Sequence, residues 1–271
     1  MNRQSPNRVH LIIGGYPAGS TAGHDMDYAR RRLLQMLGNA VAVTTTVSSD
    51  FADVKKWLRD CQLLVTYVAG PYPDTGQCEF ITEWLKNGGR WLALHGTSGG
   101  KAERIPDSSR RRMVKMDHHA VLGSFFLNHP PLRRFSVEVA NHPLTEGVPG
   151  SFDVMDELYL LEMQDPDLQV LLTTEMKEDP SPKGFGFVYD EDTSLQADGK
   201  TRVLGYLRSV GKGSVIYYGL GHCHSERTNI QPFVDESVEA SGATPMEFQG
   251  PWETEAFQQL LRNAIAWSMA A

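Results

Sequence analysis

Short apolar runs alternate with amphipathic segments through the first hundred residues of the chain. The runs at residues 9–13, 63–68 and 90–94 are typical of buried parallel strands, and alternating Val and Thr at 41–47 predict another strand. Apolar residues recur at helical spacing over 25–37 and 75–86, and glycines follow both segments. This alternation predicts β-α-β units, and therefore an α/β fold with a doubly wound, mostly parallel sheet and helices on both faces.

The pattern changes beyond residue 100. Residues 101–150 carry closely spaced histidines and prolines, which predict an irregular insertion over the surface in the position of a lid. Added strands are predicted at 135–140, 152–161, 170–174, 184–188, 203–207 and 214–218, followed by a closing helix at 253–269. Because there is no internal repeat or low-complexity linker, residues 1–271 are predicted to form a single domain.

Composition narrows the class of protein. The 271 residues are 41% hydrophobic and 22% charged, with a formal net charge of −7, which argues against a nucleic-acid or anionic-membrane partner. Three cysteines do not make a disulfide framework, and no apolar run approaches the ~20 residues of a membrane span. We therefore expect a soluble, cytoplasmic protein that acts on a small molecule, and a homo-oligomer stays open. Without a G-x-G-x-x-G turn or a P-loop, no nicotinamide, flavin or nucleotide cofactor is indicated.

Three histidines follow predicted strands: His24 after the first, His95 after the fourth and His222 after the last. The carboxyl ends of parallel strands meet at one edge of a sheet, so these side chains are expected to share a rim. Acidic residues at 153–157 enter another strand nearby in the chain. Histidines with a carboxylate and an open position are typical of a catalytic Zn²⁺-type site, and without metal the same group could perform acid–base catalysis. Each histidine taken singly is more readily structural.

His95 stands in a glycine-flanked corner at a strand end, where hydrolases and amidotransferases of this architecture carry their nucleophile. The pair His224 and Glu226 is similar to the His and Glu that activate the cysteine of class I glutamine amidotransferases. That chemistry requires a thiol at the corner, and position 95 is a histidine. Amidotransferase activity is therefore not expected, and Cys223 is predicted to be an inert core residue.

An ordered series of motifs resembles the ThuA-like (trehalose utilisation) family, whose fold is flavodoxin-like and similar to class I glutamine amidotransferases. The resemblance spans nearly the whole chain and rests on Leu94-His95, His129-Pro130, residues 142–147, residues 156–159, residues 211–222 and the segment 264–267. It implies a protein of carbohydrate metabolism that has lost the amidotransferase nucleophile. It also implies a divalent metal, of the Zn type, held by His24, His95, Glu157 and His222.

From these features we expect an enzyme that isomerises, eliminates from or hydrolyses a sugar or keto-sugar. The alternative is a non-catalytic carbohydrate-binding or regulatory protein that keeps the fold. Long loops at 175–183 and 229–250, which the shorter family members lack, could cover the pocket. The catalytic residues are expected to be His95, Glu157 and Asp156, and the substrate contacts Tyr16, Asp25, Thr97, His129 and Tyr159.

Overall fold

The computed structural model describes residues 7–17, 19–40 and 43–270, and within them the chain forms thirteen strands. In chain order the strands are β1 (Asn7–Gly15), β2 (Val43–Ser48), β3 (Leu63–Ala69), β4 (Arg90–Leu94), β5 (Lys101–Arg104), β6 (Arg111–Val114), β7 (Ser124–Asn128), β8 (Arg133–Val139), β9 (Ser151–Asp156), β10 (Leu160–Met163), β11 (Gln169–Glu175), β12 (Thr201–Val210) and β13 (Gly213–Tyr218). The first two residues of the strand predicted at 41–47 lie outside the described residues.

Five α-helices accompany these strands in the described residues: α1 (Met26–Gly38), α2 (Val54–Trp57), α3 (Thr75–Lys86), α4 (Asp117–Leu122) and α5 (Glu255–Met269). Local sequence explains where the long helices begin. The side chain of Asp25 accepts a hydrogen bond from the Tyr28 N–H at the start of α1, and Asp74 and Gln77 form a capping box at the start of α3. None of the described helices is both long and apolar enough to span a bilayer.

The main sheet has nine strands in the order β2-β1-β3-β4-β13-β12-β11-β8-β9. The pairs from β2 to β13 are parallel, and the four pairs from β13 to β9 are antiparallel. The prediction of a mostly parallel sheet is therefore wrong for half of the pairings. Parallel neighbours need a crossover connection, whereas β12 and β13 are joined by the two-residue turn Gly211-Lys212 and can only pair as a hairpin.

Helices cover both faces of the sheet, as predicted. On one face, α1 and α5 pack against the sheet through residues such as Leu33 and Leu261, which are fully buried. On the other face, α2, α3 and α4 contribute Val54, Ile81 and Leu122 to a second core. The sheet thus lies between two apolar layers, and the loops at its edge stay free to carry polar side chains.

Three predicted elements differ from the structure. The strand predicted at 152–161 is divided into β9 and β10, which belong to different sheets and flank the irregular residues 157–159. Residues 184–188 are a loop, because Gly184 and Gly186 adopt φ angles of +93° and +65°, which interrupt an extended strand. Within 101–150, the β5–β6 hairpin and residues 146–150 are largely exposed, as expected for a surface insertion, whereas β7 is buried and α4 buries one side, so the prediction is wrong for these two elements.

Candidate metal centre

Four side chains converge at the rim where the parallel strands end. His24, His95, Glu157 and His222 each offer one ligand atom, and these four atoms all lie within 4.8 Å of one another. All four residues are buried. His95 directly follows β4, Glu157 directly follows β9, and His24 and His222 lie in the loops after β1 and β13. The sequence prediction that histidines from separate strand ends share a rim with a carboxylate is confirmed.

The corner at the end of β4 fixes the position of His95. Its φ angle is +44°, in the left-handed region that side chains other than glycine rarely occupy. The next residue must be small, because a Cβ on Gly96 would lie 2.6 Å from the carbonyl oxygen of Val68. The backbone therefore turns sharply and aims the imidazole of His95 at the rim.

Backbone carbonyls hold two of the imidazoles in one tautomer. The Nδ1 of His95 lies 2.8 Å from the carbonyl oxygen of Gly219, and the Nδ1 of His24 lies 2.9 Å from that of Ala22. A carbonyl can only accept, so each Nδ1 carries the proton, and in the neutral imidazole Nε2 is left with a lone pair. In the described part of the chain, both Nε2 atoms are buried and have no hydrogen-bond partner.

A chain of two imidazoles sets the tautomer of His222. The Nε2 of His224 lies 2.9 Å from the carbonyl oxygen of Pro245, so this nitrogen donates and the Nδ1 of a neutral His224 accepts. That Nδ1 lies 2.9 Å from the Nε2 of His222, which must then be the donor. The Nδ1 of His222 consequently keeps its lone pair, and it too is buried without a hydrogen-bond partner among the described residues.

Glu157 lies between these nitrogens. Its Oε2 is 3.2 Å from the Nε2 of His95 and its Oε1 is 3.2 Å from the Nδ1 of His222. The Nε2 of His129 lies 3.7 Å from Oε1, and the side-chain amide of Gln231 donates to the same oxygen. Burial alone would raise the pKa of Glu157, but the neighbouring imidazoles of His129 and His222 outweigh it and hold that pKa well below its usual range. Glu157 is therefore a carboxylate.

The histidines differ in how readily they take up a proton. Burial, followed by repulsion from His222 and His95, lowers the pKa of His24 well below its usual value. Burial also lowers the pKa of His222. Burial opposes protonation of His95 as well, but the adjacent Glu157 carboxylate raises its pKa overall. In the absence of a cation, a proton therefore favours His95, and it must leave when a metal binds there.

This group fits a divalent metal of the zinc type. Three imidazole nitrogens and one carboxylate oxygen are the donors that such metals prefer, and the three nitrogens have no hydrogen-bond partner among the described residues. The Oε1 of Glu157 lies 3.2 Å from the Nδ1 of His222, close to the edge of roughly 3.4 Å expected for a tetrahedron with ~2.1 Å bonds. His224, Gly219 and Ala22 would orient the ligands from behind.

Two further predicted site residues lie beside the group. The ring of Tyr159 stacks on His95 at 4.2 Å between centroids and lies 5.9 Å from the ring of His129. Asp156 lies behind the ligands, since its oxygens accept hydrogen bonds from the backbone N–H groups of Gly221, His222 and Glu157. Burial raises the pKa of Asp156 to about 7. Its geometry makes it a residue that positions Glu157 and His222.

The remaining predicted substrate contacts, Tyr16, Asp25 and Thr97, form no hydrogen bond with the ligand group in the described structure. Tyr16 is 70% exposed on the loop after β1. Asp25 caps helix α1, and the hydroxyl of Thr97 bonds to the side chain and carbonyl of Thr66. Glu226, which resembles an amidotransferase residue, is exposed. None of these four is held against the ligand group by a hydrogen bond in the described structure.

Sequence reasoning missed the roles of His224 and Gln231. The spacing of His224 two residues after His222 was a usable signal, because alternate residues in an extended segment share a side. Gln231 had no signal in the sequence, since it reaches Glu157 across a separation of 74 residues. Gln231 lies in the loop at 229–250, and His224 is held by the carbonyl of Pro245 in the same loop. The structure therefore brings that loop over the four ligand residues.

The comparisons identify the family and the fold of this chain. The chain matches the ThuA family, described as trehalose utilisation, over residues 18–234. The chain belongs to the ThuA family. This ThuA chain is 18% identical to a ThuA-like protein of Bacteroides uniformis, with a TM-score of 0.61 over 98% of this chain and 92% of that one. A ThuA-like protein of Parabacteroides merdae is 17% identical, with a TM-score of 0.57 over 98% and 90%. No curated protein matches.

At these identities the solved structures establish the shared fold alone. ThuA proteins belong to the glutamine amidotransferase-like class, and the parallel half of this sheet has the flavodoxin-like strand order at its centre. In this ThuA chain the corner of that fold carries His95 and no thiol. The buried Cys223 lies nearby, but burial raises the pKa of its thiol to about 12, so it is no nucleophile.

Proposed function

We propose that this ThuA protein is a divalent-metal enzyme that acts on a sugar or keto-sugar, with the metal held by His24, His95, Glu157 and His222. The observation that carries the proposal is the set of three buried imidazole nitrogens that face one carboxylate without hydrogen-bond partners among the described residues. The sugar class is supported by the family's description as trehalose utilisation. A metal bound in such a site would polarise a carbonyl or hydroxyl oxygen of the sugar.

His129 is the residue that we assign to proton transfer. Its Nδ1 lies 2.8 Å from the carbonyl oxygen of Pro130, so in the neutral ring Nε2 carries a lone pair and can accept a proton. Its side chain is 14% exposed, whereas that of Glu157 is 4% exposed, so His129 lies on the more open side of the group. Isomerisation and elimination next to a carbonyl both begin with removal of a proton from the carbon beside that carbonyl, and His129 would accept this proton.

Aromatic rings give the site an apolar wall. Tyr159 lies between His95 and Phe126, with ring centroids 4.2 Å and 4.3 Å away, respectively. These rings would exclude water from the reacting carbons and offer a flat surface to the C–H face of a sugar. The restricted access strengthens electrostatic interactions at the group because the surroundings have a low dielectric constant.

Metal analysis is the direct test of this proposal. The purified protein is expected to bind about one equivalent of Zn²⁺ or a similar ion after chelation and reconstitution, whereas His95→Ala and Glu157→Gln should each lower the affinity strongly. His142→Ala is the matched control, because His142 is a partly buried histidine that bonds to the Leu144 N–H outside the group. Binding that is equal in all four proteins would refute the assignment.

Turnover separates the enzyme from the alternative function. The metal-loaded protein would be incubated with disaccharides and their 3-keto forms, and the products would be identified by mass spectrometry and NMR. Turnover that is lost in His129→Gln, with metal binding intact, would support the assigned proton transfer. Ligand binding without turnover across the panel would instead favour a carbohydrate-binding or regulatory protein.

A further inference from the structure

A second pocket of about 230 Å³ lies beside the candidate metal centre. It is formed where the end of β7 meets the loop at 179–189 and the β5–β6 hairpin. Its polar lining consists of Arg110, Asn128, Asp179, Ser181, Lys183 and Tyr189. The pocket can hold a small chemical group. Which group it favours depends on which of the lining donors and acceptors are already hydrogen-bonded within the protein.

The acceptors in this lining are already used. Asp179 accepts hydrogen bonds from the backbone and hydroxyl of Ser181, from the Asn128 amide and from the hydroxyl of Tyr189. The side-chain oxygen of Asn128 accepts from the Phe187 N–H. Burial alone would raise the pKa of Asp179, but the bonds from Ser181 and Asn128 outweigh it and hold that pKa below its usual range. The carboxylate is therefore satisfied within the protein.

Two cationic donors remain. One guanidinium nitrogen of Arg110 donates to the Phe185 carbonyl at 3.1 Å, but its Nε is buried and has no hydrogen-bond partner in the described residues. Neither Arg110 nor Lys183 forms an ion pair with a described carboxylate. The positive charge of Arg110 and Lys183 and the occupied acceptors together favour an anionic ligand, and guanidinium groups suit phosphate and carboxylate.

The pocket lies next to the metal centre, and its lining residue Asn128 directly precedes His129 in the chain. The ring of Phe185, in the pocket wall, lies 5.8 Å from the ring of His129. The Nε2 of His129 is in turn 3.7 Å from Glu157. One molecule could therefore place a sugar carbon near His129 and an attached acidic group near Arg110. We propose that the pocket binds the anionic group of the substrate, a phosphate or carboxylate carried by the sugar, through Arg110 and Lys183; this rests on the proposed function.

Calorimetric titration of the intact protein with glucose 6-phosphate, glucuronate and glucose tests the pocket. At least one of the two anionic sugars is expected to bind at least tenfold more tightly than glucose, and the stronger one identifies phosphate or carboxylate as the group. Arg110→Gln should reduce that binding at least tenfold. Lys183→Gln should reduce it less, because Lys183 is exposed at the pocket edge. The attraction should weaken as salt is added.

Arg112→Gln is the matched control, because Arg112 lies on the same hairpin and pairs with Asp190 outside the pocket. It should bind the anionic sugar like the wild type. Glucose binding as tight as that of both anions, or equal losses in Arg110→Gln and Arg112→Gln, would overturn the proposal. If Arg110→Gln is destabilised in thermal unfolding, Lys183→Gln decides, and unchanged binding there counts against the pocket. If the protein binds metal but shows no preference for the anionic sugars, only this inference is refuted. If it binds an anionic sugar through Arg110 but binds no metal, only the proposed metal-dependent function is refuted.

Discussion

Replacing His224 by Phe would test whether the imidazole chain prepares His222 for metal. The Nε2–H of His222 donates to His224 at 2.9 Å, and the two residues are 1% and 2% exposed. With Phe at position 224 that N–H has no acceptor. In the metal-free variant, His222 can avoid an unsatisfied N–H by carrying its proton on Nδ1 instead, because a Glu157 oxygen lies 3.2 Å from that atom and can accept the hydrogen bond. A metal on Nδ1 requires the proton to return to Nε2, where it has no acceptor. The cost of the unsatisfied N–H therefore falls on the metal-bound state.

A buried unsatisfied donor costs about 1–3 kcal/mol, and each ~1.4 kcal/mol is a tenfold change in affinity. The metal affinity of His224→Phe should therefore be about 10- to 100-fold lower than that of the wild type, in line with the loss typical of a residue that orients a ligand. Competition with a chromophoric chelator on the apo-protein would measure this change.

His224→Asn serves as the matched rescue. The side-chain oxygen of Asn can take the place of the His224 Nδ1 and accept the N–H of His222, although it cannot reach Pro245. Its metal affinity should stay within about threefold of the wild type, on the same principle that the acceptor sets the ligand's tautomer. A folded His224→Phe protein that binds metal as tightly as the wild type would refute the reasoning.

Three stability predictions concern other parts of the chain. Burial lowers the pKa of His10 to about 4, so the folded state binds fewer protons than the unfolded state, and stability should fall as the pH falls from 6.5 towards 4, by up to about 3 kcal/mol. His10→Asn should flatten that dependence in denaturant titrations. Gly96→Ala should destabilise by about 1–3 kcal/mol because its Cβ would lie 2.6 Å from the Val68 carbonyl oxygen. Asp192→Ala should cost about 3–5 kcal/mol because the buried guanidinium of Arg202 loses its bidentate partner.

Each of these predictions has a clear counter-result. A pH dependence that is unchanged in His10→Asn would show that other groups cause it. Gly38→Ala is the control for Gly96→Ala, because a Cβ there meets nothing within 4 Å, and equal thermal stabilities would exclude the steric explanation. Asp190→Ala removes an exposed acid that pairs with Arg112, and a loss as large as that of Asp192→Ala would mean that burial is irrelevant.

The parallel half of the fold was predictable because its signals are local. Apolar runs followed by glycine mark β1, β3 and β4, and the amphipathic periods mark α1, α3 and α5. The antiparallel half was predicted less well. There the connections between the described strands contain no amphipathic helix, and the segment at 152–161 is predicted as a single strand although its ends belong to different sheets. Pairing partners are distant in sequence, and periodicity carries no information about them.

The sequence by itself determined that His24, His95 and His222 follow strands and, given parallel strands, meet at one rim. The residue pattern left open which carboxylate joins them, and the family resemblance indicated Glu157. Asp156 and Glu157 are adjacent, and the folded chain shows that the irregular segment after β9 directs Glu157 to the rim, whereas Asp156 accepts from backbone donors. Tertiary structure alone decided the state of each imidazole, since the carbonyl that holds His95 lies 124 residues away in the chain. Local periodicity reflects neighbours within a few residues, whereas the direction of a lone pair depends on contacts made only after folding.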